Sequence, residues 1–183
     1  MNFLKHIIIG FFLFLILTST IKTTEQKHIE IPDYLLVKLW ANYYSKEYKI
    51  SKNVVYNVLK KETKWKDKDS AYIAEQEGDF YKDKKIKKFI PKAFGPGQIH
   101  FLTAKGIWKD SIITIEKLKN NIQFNIQTTV LILKDHYDYF KDVKNKELRW
   151  KYTITSYNTG IPSFERNGRN INNYALEIYS KSF

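Results

Sequence analysis

The segment from Ser51 to Trp65 carries one acidic residue where a helical pattern predicts an apolar one. Successive residues of an α-helix rotate by about 100°, so Val55 and Val58 fall on one apolar face. Glu62 follows Val58 by four positions and Val55 by seven, and both spacings return it to that face. Because carboxyl groups are seldom buried without a partner, Glu62 is a candidate catalytic residue.

The predicted surroundings of Glu62 suit a general acid. Removal from water and the negative end of the helix dipole both disfavour the charged form of a carboxyl group. Both effects are expected to raise the pKa of Glu62, as an acid working near neutral pH requires. The alternative is that Glu62 lies in a frayed last turn and pairs with Lys60, Lys66 or solvent.

Length and composition set limits on the class of protein. A chain of 183 residues with 13 Tyr, 12 Phe and 4 Trp can form one domain with a sizeable core. The formal net charge is +12, but the lysines are scattered and no nucleic-acid-binding motif is present, so no nucleic-acid partner is expected. The absence of cysteine excludes disulfides, thiolate metal sites, a cysteine nucleophile and lipoprotein attachment.

Residues 1–21 have the pattern of a targeting segment. Lys5 and His6 precede an apolar run from Ile7 to Leu17, and small hydroxyl residues follow it. This run is shorter than a membrane-spanning helix needs and typical of a signal-peptide core. We expect residues 1–21 to be a signal peptide or an N-terminal membrane anchor, residues 22–31 a linker, and residues 32–183 a domain outside the cytoplasm, in the periplasm or cell envelope.

Apolar residues recur at three- and four-residue spacing in further stretches, which predicts an α-helix for each. Asp33 is predicted to cap the first helix, and Ser51 the helix that ends near Glu62. The other predicted helices are Ile122 to Phe140, one through Trp150 and Tyr157 that stops at Gly160, and about Ile171 to Tyr179.

The segment from Asp67 to Lys92 is highly charged and lacks helical periodicity. Ser70 to Ala74 and Phe89-Ile90 are candidates for short strands. Most of its acidic residues are expected to be solvated loop charges, and a catalytic role for one of them is the alternative: Asp67, Asp69, Glu75, Glu77, Asp79 and Asp83.

Gly95-Pro96-Gly97 interrupts regular structure just after that segment. Such a sequence lets the backbone approach a ligand closely, and Gln98 next to it offers a neutral donor and acceptor. The alternative is a plain turn without a ligand.

Taken together and in order, these pieces resemble the catalytic domain of soluble lytic transglycosylases, which is related to goose-type lysozyme. The family pattern has a catalytic Glu followed by Ser, a Gly-Leu-Met-Gln-Ile-like segment before Thr-Ala, an Asn-Ile helix, an Ala-Tyr-Asn-Ala-Gly-like motif and a final Tyr-Val helix. The matching segments here are Leu59-Lys60-Lys61-Glu62-Thr63, Gly95-Pro96-Gly97-Gln98-Ile99 with Thr103-Ala104, Asn125-Ile126, Ser156-Tyr157-Asn158-Thr159-Gly160 and Tyr174-Ala175.

The resemblance implies an α+β, mainly α, lysozyme-like fold, with a small β or irregular element at residues 67–92 as one wall of the cleft. It implies peptidoglycan glycan strands as the substrate, with neither a cofactor nor a metal. Glu62 would protonate the glycosidic oxygen between N-acetylmuramic acid and N-acetylglucosamine, then deprotonate the muramoyl 6-hydroxyl, which closes a 1,6-anhydro ring. The residues expected to bind substrate are Thr63, Gln98, Ile99, Tyr157 and Asn158.

Departures from the pattern leave alternatives open. Thr63 replaces the usual Ser, and Pro96-Gly97 replaces Leu-Met, so an apolar platform is either lost or supplied by Phe94 or Phe101. One alternative is a goose-type lysozyme-like hydrolase, in which an acid within residues 67–83 positions a water. Another is a noncatalytic peptidoglycan-binding component of an envelope-spanning assembly, and a third is a small basic membrane-anchored interaction protein.

Overall fold

A computed structural model describes residues 33–63, 80–82, 89–91, 93–109 and 112–183. All of them belong to one unit, Ile31–Phe183. Within these ranges no helix is both long enough and apolar enough to cross a bilayer. The predicted targeting segment, the linker and the acidic residues of the 67–83 stretch lie outside the described residues.

Helices dominate the described part of the chain, as predicted. In chain order they are α1 (Asp33–Glu47), α2 (Lys52–Glu62), α3 (Phe101–Trp108), α4 (Ile115–Asn120), α5 (Ile122–Tyr139), α6 (Lys146–Thr159), α7 (Ile161–Arg166) and α8 (Asn173–Ser182). Helix α1 includes Asp33 as its first residue, so the predicted start is one residue too late, within the usual fraying of helix ends. Ser51 caps α2 as predicted, since its hydroxyl accepts a hydrogen bond of 3.5 Å from the Val54 N–H.

Three short helices, α3, α4 and α7, were not predicted from the sequence. With six to eight residues each, they are too short to show a helical repeat. The predicted stop at Gly160 is confirmed, because Gly160 has a φ of 77° and follows the last residue of α6. Pro162 then lies in the first turn of α7, where its missing N–H costs no hydrogen bond.

Two antiparallel hairpins precede α3. In the first, β1 (Phe80–Lys82) pairs with β2 (Phe89–Pro91), which confirms the strand predicted at Phe89-Ile90. In the second, β3 (Ala93–Phe94) pairs with β4 (Ile99–His100) across a turn formed by residues 95–98. The strand predicted at Ser70 to Ala74 lies outside the described residues.

The interior consists of two apolar clusters. The first joins α1, α2, α5, α6 and α8, and all four apolar residues of the predicted α2 face are fully buried in it: Val54, Val55, Val58 and Leu59. The second lies between the β3–β4 hairpin and α3, α4 and α5, and it includes Leu118 and Ile132. Phe94 belongs to this second cluster and is only 3% exposed, which disfavours Phe94 among the alternatives given for an apolar platform and leaves Phe101 or loss of the platform. Tyr157 packs against both clusters, which fixes its position between them.

Candidate active site

Glu62 is the last residue of α2 and is half-buried at the end of the fully buried valine face. Its Oε1 accepts a hydrogen bond from the hydroxyl of Tyr174 on α8. Its neighbour Lys61 is turned outward and pairs with Glu177, also on α8. The last turn of α2 is therefore tied to α8 at both Lys61 and Glu62.

Tyr174 lies in the first turn of α8, which Asn172 caps by accepting a hydrogen bond of 3.0 Å from the Ala175 N–H. Burial and the nearby Glu62 charge raise the pKa of Tyr174 well above the ordinary value for a phenol. The group therefore stays protonated and remains a hydrogen-bond donor to the carboxyl group. Tyr174 matches the family's final Tyr-Val helix, but the sequence did not predict it as a site residue, because no local pattern connects it with Glu62.

Tyr157 is the second phenol near Glu62. Its hydroxyl donates a hydrogen bond of 2.6 Å to the carbonyl oxygen of Gly97. Burial and the charge of Glu62 both raise the pKa of Tyr157, so this phenol also stays neutral. Helices α2, α6 and α8 thus bring a carboxyl group and two neutral phenols into mutual electrostatic contact.

A buried amide holds the β3–β4 turn in place. Asn125, on α5, is fully buried, and its Oδ1 accepts a hydrogen bond of 2.8 Å from the Gly97 N–H. Its Nδ2 donates to the carbonyl oxygens of Phe94 at 2.8 Å and Leu118 at 2.9 Å. These three bonds engage the amide oxygen and both amide N–H groups of Asn125. They fix the backbone of the turn beside Tyr157.

Gly97 stands where the resembled pattern has Met, and its surroundings explain the change. A Cβ atom at this position would lie 1.9 Å from Oγ1 of Thr129 and 3.1 Å from the Tyr157 hydroxyl. The first distance is shorter than real Cβ contacts allow and the second is tighter than most of them, so Thr129 occupies the space that a side chain at position 97 would need. The turn is buried along its whole length, as its close backbone packing requires.

Gln98 follows this turn in a left-handed backbone conformation, with φ of 46°. Its Nε2 donates a hydrogen bond of 2.9 Å to the Gly95 carbonyl oxygen, whereas its buried Oε1 has no hydrogen-bond partner among the described residues. A buried acceptor without a partner costs free energy, so this enclosed oxygen is an unfavourable feature of the turn.

A groove of about 360 Å³ runs along Gln98 and the end of α6. It brings together four of the predicted substrate-binding residues, namely Gln98, Ile99, Tyr157 and Asn158. Ile99 is only 2% exposed at its wall, whereas Asn158 is exposed. Its other lining residues are His100, Thr103, Ile132, His136, Thr159, Gly160, Ile161 and Pro162.

Thr63, the fifth predicted substrate-binding residue, does not line this groove. Its hydroxyl donates a hydrogen bond of 2.9 Å to the Leu59 carbonyl oxygen, one turn back in α2. The Thr63 side chain therefore stabilises the C-terminal turn of α2, which carries Glu62.

The described residues contain no cluster of three His, Asp or Glu side chains that could hold a metal ion. Glu177, a second carboxylate near Tyr174, is engaged by Lys181 and Lys61, which lower its pKa to about 2. With its charge neutralised by two lysines, Glu177 is poorly suited to transfer protons.

The site's residues lie within a stretch that matches a known family. The family model described as "Transglycosylase SLT domain" matches residues 40–179, about three-quarters of the chain. No curated protein and no solved structure matches the chain. Members of this family are lytic transglycosylases that act on peptidoglycan, and their domain is lysozyme-like, which confirms the predicted fold class. The chain therefore belongs to the transglycosylase SLT domain family.

Proposed function

We propose that this protein is a lytic transglycosylase that cleaves the bond between N-acetylmuramic acid and N-acetylglucosamine, with Glu62 as the acid and then the base. The observation that carries the proposal is the hydrogen bond from Tyr174 to Glu62 Oε1 at the end of a buried apolar helix face. The carboxyl group interacts electrostatically with Tyr157, which lines a groove of about 360 Å³.

In the first step, protonated Glu62 donates its proton to the glycosidic oxygen, and the bond from that oxygen to the muramoyl C1 breaks. The oxocarbenium-like charge at C1 is stabilised by the substrate's own acetamido group. In the second step, the Glu62 carboxylate takes the proton of the muramoyl 6-hydroxyl while that oxygen bonds to C1. Glu62 regains its proton, a 1,6-anhydro ring forms, and no water is consumed.

The two phenols have different parts in this scheme. Tyr174 fixes one oxygen of Glu62, which limits the carboxyl group to one orientation during both proton transfers. The Tyr157 hydroxyl donates its hydrogen bond to the Gly97 carbonyl oxygen. Toward the sugar, the Tyr157 oxygen could therefore act only as a hydrogen-bond acceptor.

The remaining groove residues orient the glycan. Gln98 would hydrogen-bond the sugar, Ile99 would line the wall, and Asn158 would contact the sugar at the open rim. Asn158 is itself held by a hydrogen bond of 3.1 Å from Asn172 Nδ2.

The cellular setting follows from the same proposal. A net charge of +12 would keep the domain near the anionic polymers of a cell wall. Residues 1–21 would direct the chain out of the cytoplasm as a signal peptide or hold it at the membrane as an anchor, where an envelope-spanning assembly is a fitting partner.

Mass spectrometry of the fragments released from purified peptidoglycan tests the proposed reaction. The samples are the full-length chain, its Glu62→Gln variant and a Glu177→Gln variant as the matched carboxylate control. We expect anhydro-ended fragments from the parent and from Glu177→Gln, and a loss of about 10²- to 10⁴-fold with Glu62→Gln. Thermal unfolding of the three proteins checks that each is folded.

Other products would point to the alternatives. Reducing ends would indicate a hydrolase and direct attention to the acidic residues within 67–83. Wall binding by the parent without any release would indicate a noncatalytic binding component.

A further inference from the structure

Helix α1 exposes large apolar side chains on the face that is turned away from the core. Leu35, Leu39 and Tyr43 are 42%, 54% and 55% exposed, respectively. Each follows the previous one by four residues, so the three form a stripe, the α1 stripe, that covers only about 80° of the helix circumference. The opposite face of α1 is buried, since it packs against α5 and α2. Helix α1 is therefore apolar on two faces, and the domain covers one of them.

Tyr43 is held in the α1 stripe by other aromatic rings. Its ring meets those of Trp40 and Tyr44 edge-on, at centroid distances of 5.9 and 5.0 Å. Trp40 is half-buried and so lies between the core and the exposed face. Rings of Tyr and Trp favour the boundary between water and lipid, because they combine a large apolar surface with a polar group. The composition of this face therefore suits the surface of a bilayer.

Three exposed lysines, the bordering lysines, lie next to the α1 stripe: Lys38, Lys46 and Lys52. Lys46 follows Leu39 by seven residues, so it lies on the same face in the last turn of α1. Lys38 and Lys52 line a cavity of about 250 Å³ between α1 and α2, whose other lining residues are uncharged. None of the three forms an ion pair with a described residue. Glu47 beside Lys46 offsets one of these charges, which leaves the edge of the stripe cationic.

The sequence before α1 would keep this face within reach of a membrane. The apolar run from Ile7 to Leu17 precedes α1, and residues 18–32 connect the two. A connection of that length spans at most about 50 Å, even when it is fully extended. With the run inserted in a bilayer, α1 would stay within that distance of the lipid surface.

We propose that α1 docks on an anionic lipid bilayer, with the α1 stripe in the headgroup region and the bordering lysines on lipid phosphates. Burial of apolar side chains and attraction between lysines and anionic lipids reinforce each other at such a surface. A second copy of the chain is a poorer partner, because it would bring its own lysines against these. The inference goes beyond an N-terminal anchor, since it assigns a membrane-facing surface to the domain itself, and it does not depend on glycan cleavage.

Fluorescence quenching on vesicles tests the proposed orientation of the domain. Because the chain contains no cysteine, Leu39→Cys and Leu176→Cys each accept a single bimane label. Leu176 is the matched control, since it is an exposed leucine on α8, at 44%. The full-length variants are reconstituted with vesicles of phosphatidylglycerol and phosphatidylcholine in equal parts, in which a fraction of the lipid carries a nitroxide on its headgroup. We expect the nitroxide to quench the label at position 39 about three- to tenfold more strongly than the label at position 176.

Charge substitutions test the contribution of the bordering lysines. Lys38→Gln, Lys46→Gln and Lys52→Gln together should lower the quenching at position 39 about twofold or more, because the attraction to anionic lipid is lost. Vesicles of phosphatidylcholine alone should lower it in the same way for the parent charge pattern. The control makes the same substitution at three exposed lysines at and before the start of α6 and should leave the quenching unchanged: Lys141, Lys144 and Lys146.

Equal quenching at positions 39 and 176 would overturn the inference, and so would an equal effect of the two sets of lysine substitutions. Failure of the chain to associate with the vesicles would overturn it as well. Thermal unfolding checks that each labelled variant is folded. Since none of these measurements requires turnover, such a result is distinct from failure to release anhydro-ended fragments.

Discussion

The hydroxyl of Tyr174 donates a hydrogen bond to Glu62 although 112 positions separate the two residues. The ion pair between Lys61 and Glu177 lies alongside it and also connects α2 with α8. The final helix therefore fixes the orientation of the acid, and each of the following predictions tests one contact around this site.

Tyr174→Phe should reduce kcat about ten- to hundredfold and leave KM nearly unchanged. Hydrogen bonds to a charged group contribute about 1.5–3 kcal/mol, and each 1.4 kcal/mol corresponds to a factor of ten in rate. Rates of anhydro-fragment release over a range of peptidoglycan concentrations measure both constants.

Tyr179→Phe is the matched control for that variant. Tyr179 lies on the same helix and packs against Phe183, and its hydroxyl makes no hydrogen bond to the described residues. Its replacement should leave kcat unchanged, and an equal loss in both variants would show that Tyr174 acts only by packing α8.

Gly97→Ala should destabilise the protein by about 1–3 kcal/mol, because the added Cβ would overlap Oγ1 of Thr129. Gly97 does not have a positive φ, so the cost is steric rather than conformational. Adding Thr129→Ala to Gly97→Ala should restore most of the stability, as measured by urea unfolding.

Gly106→Ala provides the comparison for a glycine without neighbours. It lies within α3, and a Cβ there would meet nothing within 4 Å. This variant should be about as stable as the parent or up to about 1 kcal/mol more stable, because alanine favours the helix. Equal destabilisation at both positions would argue against the proposed steric overlap with Thr129.

Asn125→Asp should destabilise the fold by about 3–5 kcal/mol at neutral pH. A buried carboxylate would face the carbonyl oxygens of Phe94 and Leu118, which now accept hydrogen bonds from the amide. Burial should keep the new acid protonated to higher pH in the folded state than in the unfolded state, so the loss should grow as pH rises.

The same substitution at Asn170 is the control. Asn170 is exposed, and its Nδ2 donates a hydrogen bond of 2.7 Å to a backbone carbonyl, that of Asn167. Asn170→Asp should change the free energy of unfolding by less than about 1 kcal/mol, with little dependence on pH. Chemical denaturation at several pH values separates the two variants.

His136 should make the stability depend on pH between about 4 and 6.5. In this range the unfolded histidine binds a proton that the buried ring does not, so its contribution is complete above pH 6.5 and declines as pH falls to about 4. The difference between the two pKa values corresponds to about 3 kcal/mol. The unfolding free energy should therefore fall more steeply with decreasing pH in the parent than in His136→Gln across this range. Parallel curves of unfolding free energy against pH would contradict the prediction.

Local periodicity was enough to place Glu62 at the end of the buried valine face of α2 and to find the long helices α5 and α6. These features depend on contacts three or four residues apart, which a sequence displays directly. The order of short motifs likewise predicted the family, and the Gly160 stop and the Ser51 cap needed only local chemistry.

The partners of these residues were decided only by tertiary structure. That Tyr174 meets Glu62, that Asn125 holds the Gly97 turn, and that Ser156 orients His136 all depend on which helix faces pack together. Periodicity identifies an apolar face but does not say which other face covers it. Side chains brought together by packing over long sequence distances therefore leave no local pattern in the sequence.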